Sequence, residues 1–134
     1  MSKLQIAAGS TTPEVSFHFD LGVFILSGES YPEDVRSFYD APMKQFYDWL
    51  ASSGDKPVML AFKFGYFNSA SAKVILDAMT AMEKAAANGR VCKVQWHYAP
   101  HDDNIRDLGE EFGEDLSAAK FELVEIKPPA PSAA

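Results

Sequence analysis

The residues with the clearest chemical potential lie between positions 66 and 73, in the order Tyr-Phe-Asn-Ser-Ala-Ser-Ala-Lys. The apolar run that precedes them predicts a buried strand, and the alanine-rich run that follows predicts a helix. Two hydroxyls, on Ser69 and Ser71, therefore stand at a strand–helix junction. At the carboxyl end of a central strand, such a junction is open to a partner. One function that suits such a junction is a surface switch, in which one hydroxyl accepts a phosphoryl group.

A phosphate at this junction would change binding more than folding. It brings about 1.5 to 2 negative charges to a helix N-terminus, where free N–H groups favour an anion. The fold would tolerate this charge, whereas a partner packed on the same helix end would face a dianion without compensation. The alternative, which spacing alone favours, is that Ser69 caps the helix by accepting a backbone N–H, a contribution of about 1 kcal/mol.

The three histidines do not converge on a catalytic or metal site. His18 and His97 alternate with apolar residues along predicted strands, a pattern typical of surface or interface side chains. His101 precedes Asp102 and Asp103, which together offer nitrogen and oxygen ligands. The two acids are better explained by a helix N-terminus, where negative charge is stabilised. We therefore predict no metal site and no cofactor.

Nothing in the remaining sequence predicts an enzyme. Cys92 lies in an apolar strand, as a small buried side chain would, and the sequence has no glycine-rich phosphate loop or nucleophile elbow. Trp96 and Phe46 have the spacing of core residues rather than of a stacking platform. The acids of the last predicted helix are distributed around it, which is typical of a solvated face. These acids are Asp107, Glu110, Glu111, Glu114 and Asp115.

Composition restricts the class of protein further. The chain has 134 residues, 47% of them hydrophobic, which suits one globular domain. Its net charge of -7 argues against long-range attraction to nucleic acid or to an anionic membrane. The first nine residues lack the features of a secretory signal, so we expect a cytoplasmic protein. Seven acids and one arginine lie between Asp102 and Asp115, a helix that could meet a basic patch on a partner.

Strand-like and helix-like segments alternate after an opening hairpin. Alternation at 15–20 and an apolar run at 23–26 predict that hairpin, and the polar residues 27–30 should end it. The strand at 58–66 is nearly all apolar, as expected for a strand covered on both faces. The other predicted elements are a short helix after Pro32, a second helix from Pro42 to about Ser52, a helix at 69–88, a strand at 91–98, a helix at 102–116 and a strand at 121–126.

This order of elements predicts an α/β fold. We expect a single-domain mixed sheet of about five strands, opened by a β-hairpin, with helices packed on it. The domain should span residues 1–126. Residues 127–134 are rich in proline and alanine, and we expect them to form a flexible tail.

Six segments of the chain, taken in order, resemble the SiaC family of bacterial regulatory phosphoproteins, known from biofilm control. Together they extend from residue 12 nearly to residue 126, and the ordered set is more specific than any one segment. They are residues 12–14 (Thr-Pro-Glu), 27–33 (Ser-Gly-Glu-Ser-Tyr-Pro-Glu), 38–42 (Phe-Tyr-Asp-Ala-Pro), 66–73, 94–98 (Val-Gln-Trp-His-Tyr) and 109–115 (Gly-Glu-Glu-Phe-Gly-Glu-Asp).

The resemblance implies a fold similar to the sulfate-transporter and anti-sigma-antagonist (STAS) domain, and a regulator rather than an enzyme. In the family, a dedicated protein kinase phosphorylates a hydroxyl just after the asparagine of the strand–helix junction, and a PP2C-type phosphatase reverses this. The unphosphorylated form binds and activates a diguanylate cyclase, which raises cyclic di-GMP. By resemblance the phospho-acceptor is Ser69. The family has a threonine and two serines where this chain has Ser69, Ala70 and Ser71, so Ser71 stays a rival acceptor.

The leading hypothesis is therefore a phosphorylation-gated protein that activates a cyclase through a surface around this junction. The expected members of that surface are Tyr31, Glu33, Tyr66, Phe67, Asn68, Ser69 and Lys73. Two other hypotheses stay open. One is a STAS-like anti-sigma-factor antagonist or adaptor that binds a different kinase target, and the other is a small metal enzyme that uses His101 and the acidic helix.

Overall fold

The computed structural model describes residues 3–127, which form six strands and three helices. In chain order they are β1 (Lys3–Ile6), β2 (Glu14–His18), β3 (Val23–Ser30), α1 (Val35–Ser52), β4 (Val58–Phe67), α2 (Ser69–Ala87), β5 (Cys92–Tyr98), α3 (Asp103–Gly113) and β6 (Lys120–Glu125). Residues 128–134, most of the predicted tail, lie outside the described residues. Within the described part, no helix is long and apolar enough to cross a membrane.

One sheet contains all the strands, in the same order in space as in the sequence. β1, β2 and β3 are antiparallel neighbours, whereas β3 to β6 run parallel. One helix joins each parallel pair, and right-handed crossovers between sequential neighbours place these helices on the same face. The predicted single α/β domain, with a mixed sheet opened by a hairpin, is confirmed. The predicted helix at 69–88 and the strands at 91–98 and 121–126 agree with the structure to within one residue.

The sheet has one strand more than the five expected, because the sequence pattern does not predict β1. Lys3–Ile6 has only four residues. It pairs with β2 in the register Leu4↔Phe17 and Ile6↔Val15, which adds Leu4 and Ile6 to the edge of the core. A strand of this length has too little periodicity to be distinguished from a loop.

The core lies between the helices and the sheet face that contains Phe17, Phe24, Phe62 and Trp96. The ring of Phe46 in α1 packs against Phe24 with centroids 4.9 Å apart. The helices contribute the buried residues Tyr39, Met43, Phe46, Ile75, Met79, Met82 and Ile105. Burial of this apolar surface is the main contribution that favours the folded state.

The opposite face of the sheet has no helix packed on it within the described residues. Ile25 and Gln95 are half-buried there and Lys63 is exposed, so β4 is covered on one face rather than on both. The prediction for this strand is wrong because strands that follow one another in the sheet need crossovers on one side only. Ala61 is still buried, since its small side chain lies between Ile25 and Gln95 on the neighbouring strands.

β3 continues to Ser30, although the polar residues 27–30 predict that it ends near Leu26. β3 pairs with β4 as far as Ser30↔Phe67, and this parallel pairing provides hydrogen-bond partners for the backbone of its polar residues. The register shifts after Gly28, since Gly65 of β4 has no partner residue in β3. Such a bulge reverses the alternation of side chains. As a result Phe67 packs inward while Tyr66 is exposed.

α1 is one continuous helix with Pro42 inside it, whereas the sequence predicts a break and a new helix start near Ala41. Asp34 caps its N-terminus. A proline in a helix interior costs about 3 kcal/mol. Tyr39, Pro42 and Met43 are all buried, and the burial of this cluster offsets that cost.

α3 approaches the sheet closely at Gly109. A Cβ atom there would lie 2.6 Å from Nε1 of Trp96. The same nitrogen donates to the Ile105 carbonyl over 2.8 Å, so the indole lies directly against the helix backbone. Glycine weakens a helix interior, but at this position it permits the contact. The helix ends at Gly113, three residues before the predicted end.

Candidate functional site

Ser69 is the first residue of α2, and its side chain is exposed. Asn68, between β4 and the helix, has an extended backbone with φ -87° and ψ 175°. The Oδ1 atom of Asn68 accepts the Ser71 N–H over 2.9 Å, which makes the asparagine the N-cap. The alternative that Ser69 caps the helix is therefore wrong, and its hydroxyl faces solvent.

Ser71, the rival phospho-acceptor, is fully buried two residues later. Its hydroxyl donates to the Ser30 carbonyl over 3.0 Å and lies 2.8 Å from the Ser30 Oγ. The Ser30 hydroxyl in turn bonds the phenol of Tyr39. We call these three side chains the hydroxyl network. A kinase could reach Ser71 only after the network opened, whereas Ser69 is accessible in the folded protein.

The hydroxyl network connects β3, α1 and α2 beneath the junction. The Asn68 N–H donates to the same Ser30 carbonyl over 3.0 Å. Burial raises the pKa of the Tyr39 phenol, although hydrogen bonds to Ser30 and Ser71 oppose the shift, so the phenol stays protonated. Sequence reasoning missed Ser30 and Tyr39. The signal that could have found Ser30 is its spacing from Leu26, since residues four apart in a strand share one face.

Two exposed tyrosines of the predicted binding surface meet beside the junction. The rings of Tyr31 and Tyr66 lie edge to face with centroids 5.7 Å apart, and the residues are 38% and 50% exposed. The Tyr31 hydroxyl donates to the Ser10 carbonyl over 3.2 Å. Tyrosines are enriched in interfaces because they combine a large apolar body with a polar end. This pair therefore forms an exposed aromatic surface beside the junction.

The other predicted binding residues lie around this pair in different environments. Glu33 is exposed in the loop before α1. Lys73 is exposed one turn into α2 and pairs with Asp77 over 3.5 Å. Phe67 instead packs inward, with its ring centroid 5.8 Å from that of Trp96. Phe67 therefore supports this surface from beneath.

A cavity of about 590 Å³ opens between the end of β4 and α3. Gly65, Tyr66 and Phe67 form one of its walls. The wall from α3 and its N-cap consists of Asp102, Asn104, Ile105, Asp107, Leu108 and Glu111. We call this cavity the acidic groove. Sequence reasoning missed it, because it depends on how closely α3 packs beside β4.

The candidate metal and catalytic residues do not form a site in the described structure. Asp102 accepts the Ile105 N–H over 3.0 Å as the N-cap of α3, which confirms its predicted structural role. Within residues 3–127, no three His, Cys, Asp or Glu side chains gather as metal ligands. Burial raises the pKa of the Cys92 thiol, so it stays protonated at neutral pH. Burial, with a smaller effect of Lys63, lowers the pKa of His97.

Comparison with known proteins identifies a family. Residues 6–126 match the family model described as SiaC family regulatory phosphoprotein. An uncharacterized protein of Pseudomonas aeruginosa (strain UCBPP-PA14) is 31% identical over 120 residues, which are 87% of this chain and 92% of that protein. The crystal structure of apo-SiaC from P. aeruginosa superposes with a TM-score of 0.83 at 31% identity, over 92% of this chain and 99% of that chain.

A second structural relative comes from a complex. It is a chain in the crystal structure of the diguanylate cyclase SiaD with its activator SiaC from P. aeruginosa. The TM-score is 0.86 at 28% identity, over 92% of this chain and 99% of that chain. The family match thus covers β2 to β6, the three helices and the β4–α2 junction. This chain belongs to the SiaC family of regulatory phosphoproteins.

Proposed function

We propose that this protein is a phosphorylation-gated activator of a diguanylate cyclase, with no catalytic activity of its own. Its unphosphorylated form binds the cyclase, raises cyclic di-GMP and so controls biofilm formation. The main support is the position of Ser69, an exposed hydroxyl directly after the N-cap of α2. Membership of a family of regulatory phosphoproteins, and a structural relative solved in complex with a cyclase, support the same function.

Phosphorylation of Ser69 switches binding off through local electrostatics. The phosphate brings about 1.5 to 2 negative charges next to the free N–H groups of the first turn of α2, which stabilise it. Lys73 lies four residues further along the helix, where it can pair with the phosphate. The fold therefore persists, but a partner seated on this helix end would have to desolvate a dianion.

A dedicated protein kinase adds the phosphate and a PP2C-type phosphatase removes it. Both enzymes act in the cytoplasm, on the single domain that we place at residues 1–126. They can act on its folded state, because the Ser69 hydroxyl is exposed without any opening. The hydroxyl network keeps Ser71 out of reach of the same kinase. Ser69 is thus the acceptor that the folded state favours.

Mass spectrometry of the protein after treatment with its kinase tests the acceptor. We expect one phosphate on Ser69 in the wild type and none in Ser69→Ala. Ser71→Ala is the matched control, because it removes the neighbouring hydroxyl and should keep full phosphorylation. Phosphate on Ser71 alone, or on neither serine, contradicts the assignment.

Calorimetry tests whether a negative charge at position 69 prevents binding, which we call the gate. The cyclase for this experiment is the one that the Ser69→Ala protein recovers from the native cell. Ser69→Ala should bind as the unphosphorylated wild type does, and Ser69→Asp about tenfold more weakly, because a carboxylate supplies part of the phosphate charge. Ser69→Asn has the shape of Ser69→Asp without its charge and should bind well. Equal affinity of the Asp and Asn variants contradicts the gate. Recovery of an anti-sigma kinase in place of a cyclase would favour the antagonist hypothesis.

A further inference from the structure

We infer that the acidic groove receives an arginine side chain of the cyclase, on a segment that also covers Tyr66. This inference rests on the proposed function, because it takes the cyclase as the partner. Tyr66 and Phe67 form one wall of the groove and are followed directly by Asn68 and Ser69. The groove is therefore continuous with the surface that phosphorylation of Ser69 would control.

The charges of the groove favour a cation. Asp102, Asp107 and Glu111 line it, and none of its described lining residues is basic. Arg106 is exposed on the same helix and pairs with Asp107 over 3.3 Å, which leaves the other two carboxylates without this cation. The segment from Asp102 to Asp115 contains seven acidic residues, and Arg106 is its one arginine. A segment that docks here must therefore bring positive charge.

The shape and composition of the groove favour arginine over lysine. Tyr66 offers a half-exposed ring, on which a guanidinium can stack while it also pairs with carboxylates. Asp107 and Glu111 are four residues apart, so they lie on one helix face and can accept from one planar donor. Ile105 and Leu108 of the same wall would contact the aliphatic part of the side chain. The volume lies within the range of about 300–1,000 Å³ that is usual for small-molecule pockets, so it leaves room for one long side chain.

The acidic groove and the N-terminus of α2 prefer opposite charges. The carboxylates of the groove favour a cation, whereas the first turn of α2, with Lys73, favours an anion. Phosphorylation of Ser69 acts directly on the second preference and leaves the groove carboxylates in place, because none of them belongs to the junction. The groove thus contributes affinity, while the hydroxyl decides whether the partner can close over the surface. Mutation can separate the two.

The test uses the Ser69→Ala protein, which cannot be phosphorylated at that position, and the cyclase that it recovers from the native cell. Asp107→Asn combined with Glu111→Gln removes two carboxylates of the groove. Glu110→Gln combined with Glu114→Gln is the matched control, since it removes two exposed carboxylates at the same spacing, one on α3 and one at its C-cap, both outside the groove. In calorimetry, the groove pair should weaken binding about tenfold and the control pair less than about twofold.

The aromatic wall is tested in the same background. Tyr66→Ala should weaken binding roughly 30-fold, because tyrosines are frequent hot spots of interfaces. Tyr66→Phe keeps the ring and should stay within about twofold of the parent. Added salt should weaken binding of the parent more than binding of the groove pair, since it screens the charges that the pair removes.

Equal losses from the groove pair and the control pair would mean that only the overall charge of α3 matters, and they would overturn the inference. No loss from the groove pair, with the cyclase still bound, overturns it as well and leaves the proposed function intact. Failure of the Ser69→Ala protein to bind any cyclase refutes the proposed function and the inference together. Thermal melts followed by circular dichroism establish that each variant is folded.

Discussion

The two ends of the parallel strands use their polar groups in different ways. At the amino end, side chains bind the backbone of neighbouring segments. At the carboxyl end, Ser69 and the ring of Tyr66 face solvent beside the acidic groove. The polar groups of the amino end therefore stabilise the fold, whereas the carboxyl end, above its buried hydroxyl network, exposes the groups of the proposed binding surface.

Arg90 connects several segments at the amino end of the parallel strands. It is only 8% exposed, and it donates from Nε to the Lys56 carbonyl and from Nη1 to the Leu50 carbonyl, both over 2.7 Å. Nη2 donates to the Ser53 hydroxyl, and the guanidinium lies 5.1 Å from the centre of the Trp49 ring. One side chain thus joins the end of α1, the loop before β4 and the start of β5.

Glu83 has the same role for the loop before β6. Its carboxylate accepts the backbone N–H groups of Ser117, Ala118 and Ala119 over 3.1, 3.0 and 2.9 Å. The Glu83 carboxylate and these three N–H groups are therefore already hydrogen-bonded within the domain. Stability and binding should therefore respond to mutations at opposite ends of the sheet.

The largest effect on stability should come from Arg90→Ala. The change removes a buried side chain and leaves the carbonyls of Leu50 and Lys56 without their donors, so the free energy of unfolding should fall by about 3 kcal/mol. Urea denaturation measures this. Arg106→Ala, at an exposed arginine, is the control and should change stability by less than about 0.5 kcal/mol. Similar losses in the two variants would contradict the structural role of Arg90.

Gly109→Ala should affect stability and binding together, which makes it the sharpest challenge to the separation of the two ends. The added methyl group collides with Trp96 and forces α3 away from the sheet, at a cost of about 2 kcal/mol in the free energy of unfolding. The acidic groove should change shape, and affinity for the cyclase should fall. Gly65→Ala is the control for stability, because nothing lies within 4 Å of its added Cβ. Unchanged urea midpoints for Gly109→Ala would refute the close contact.

Ser71→Ala and Ser69→Ala compare buried and exposed hydroxyls within the junction itself. Ser71→Ala breaks the hydroxyl network and should lower the free energy of unfolding by about 1–2 kcal/mol. Ser69→Ala should stay within about 0.5 kcal/mol of the wild type, because its side chain is exposed. Urea denaturation of both variants gives the comparison, and the opposite order of stabilities would argue against the assignment of Ser69 as the surface residue.

The smallest effect should be in the pH dependence of stability at the amino end. Hydrogen bonds from the backbone of Ala119 and Ala118 lower the pKa of Glu83 from its ordinary value of 4.5. A group with a lower pKa in the folded state adds stability above its unfolded pKa and loses it as the pH falls through the folded value. The stability difference between the wild type and Glu83→Gln should therefore be present at pH 7 and shrink below 4.5. A difference that does not change with pH would rule out this linkage.

Local sequence patterns predicted most of the fold, and they failed where tertiary packing overrides local preference. Periodicity located α2, β5 and β6 because each has enough residues to show one face. Predictions from periodicity were wrong at Pro42 and at the polar end of β3. The proline is held in α1 by the burial of its neighbours, and residues 27–30 stay in a strand because β4 provides the pairing partner.

The site was predictable in part for a similar reason. The sequence and the family resemblance pointed to the junction, but they left Ser69 and Ser71 as rivals. Two residues at a helix start point about 200° apart, and which one faces the core depends on the packing of α2 against Ser30 and Tyr39. The acidic groove needs a bulge in one element and a close helix contact in another, and neither has a local signature.

The order of the strands has a consequence for how the molecule assembles during synthesis. Because neighbours in the sheet are also neighbours in the chain, each new strand finds its pairing edge already made as the ribosome proceeds. Each parallel pairing spans a single crossover, which keeps the contacting residues closer in sequence than pairing between distant strands would. Of the described elements, α3 and β6 come last in the chain, and α3 supplies the acidic wall of the groove. A nascent or prematurely terminated chain should therefore lack this wall, so that only a fully synthesised domain presents the complete surface to its partner.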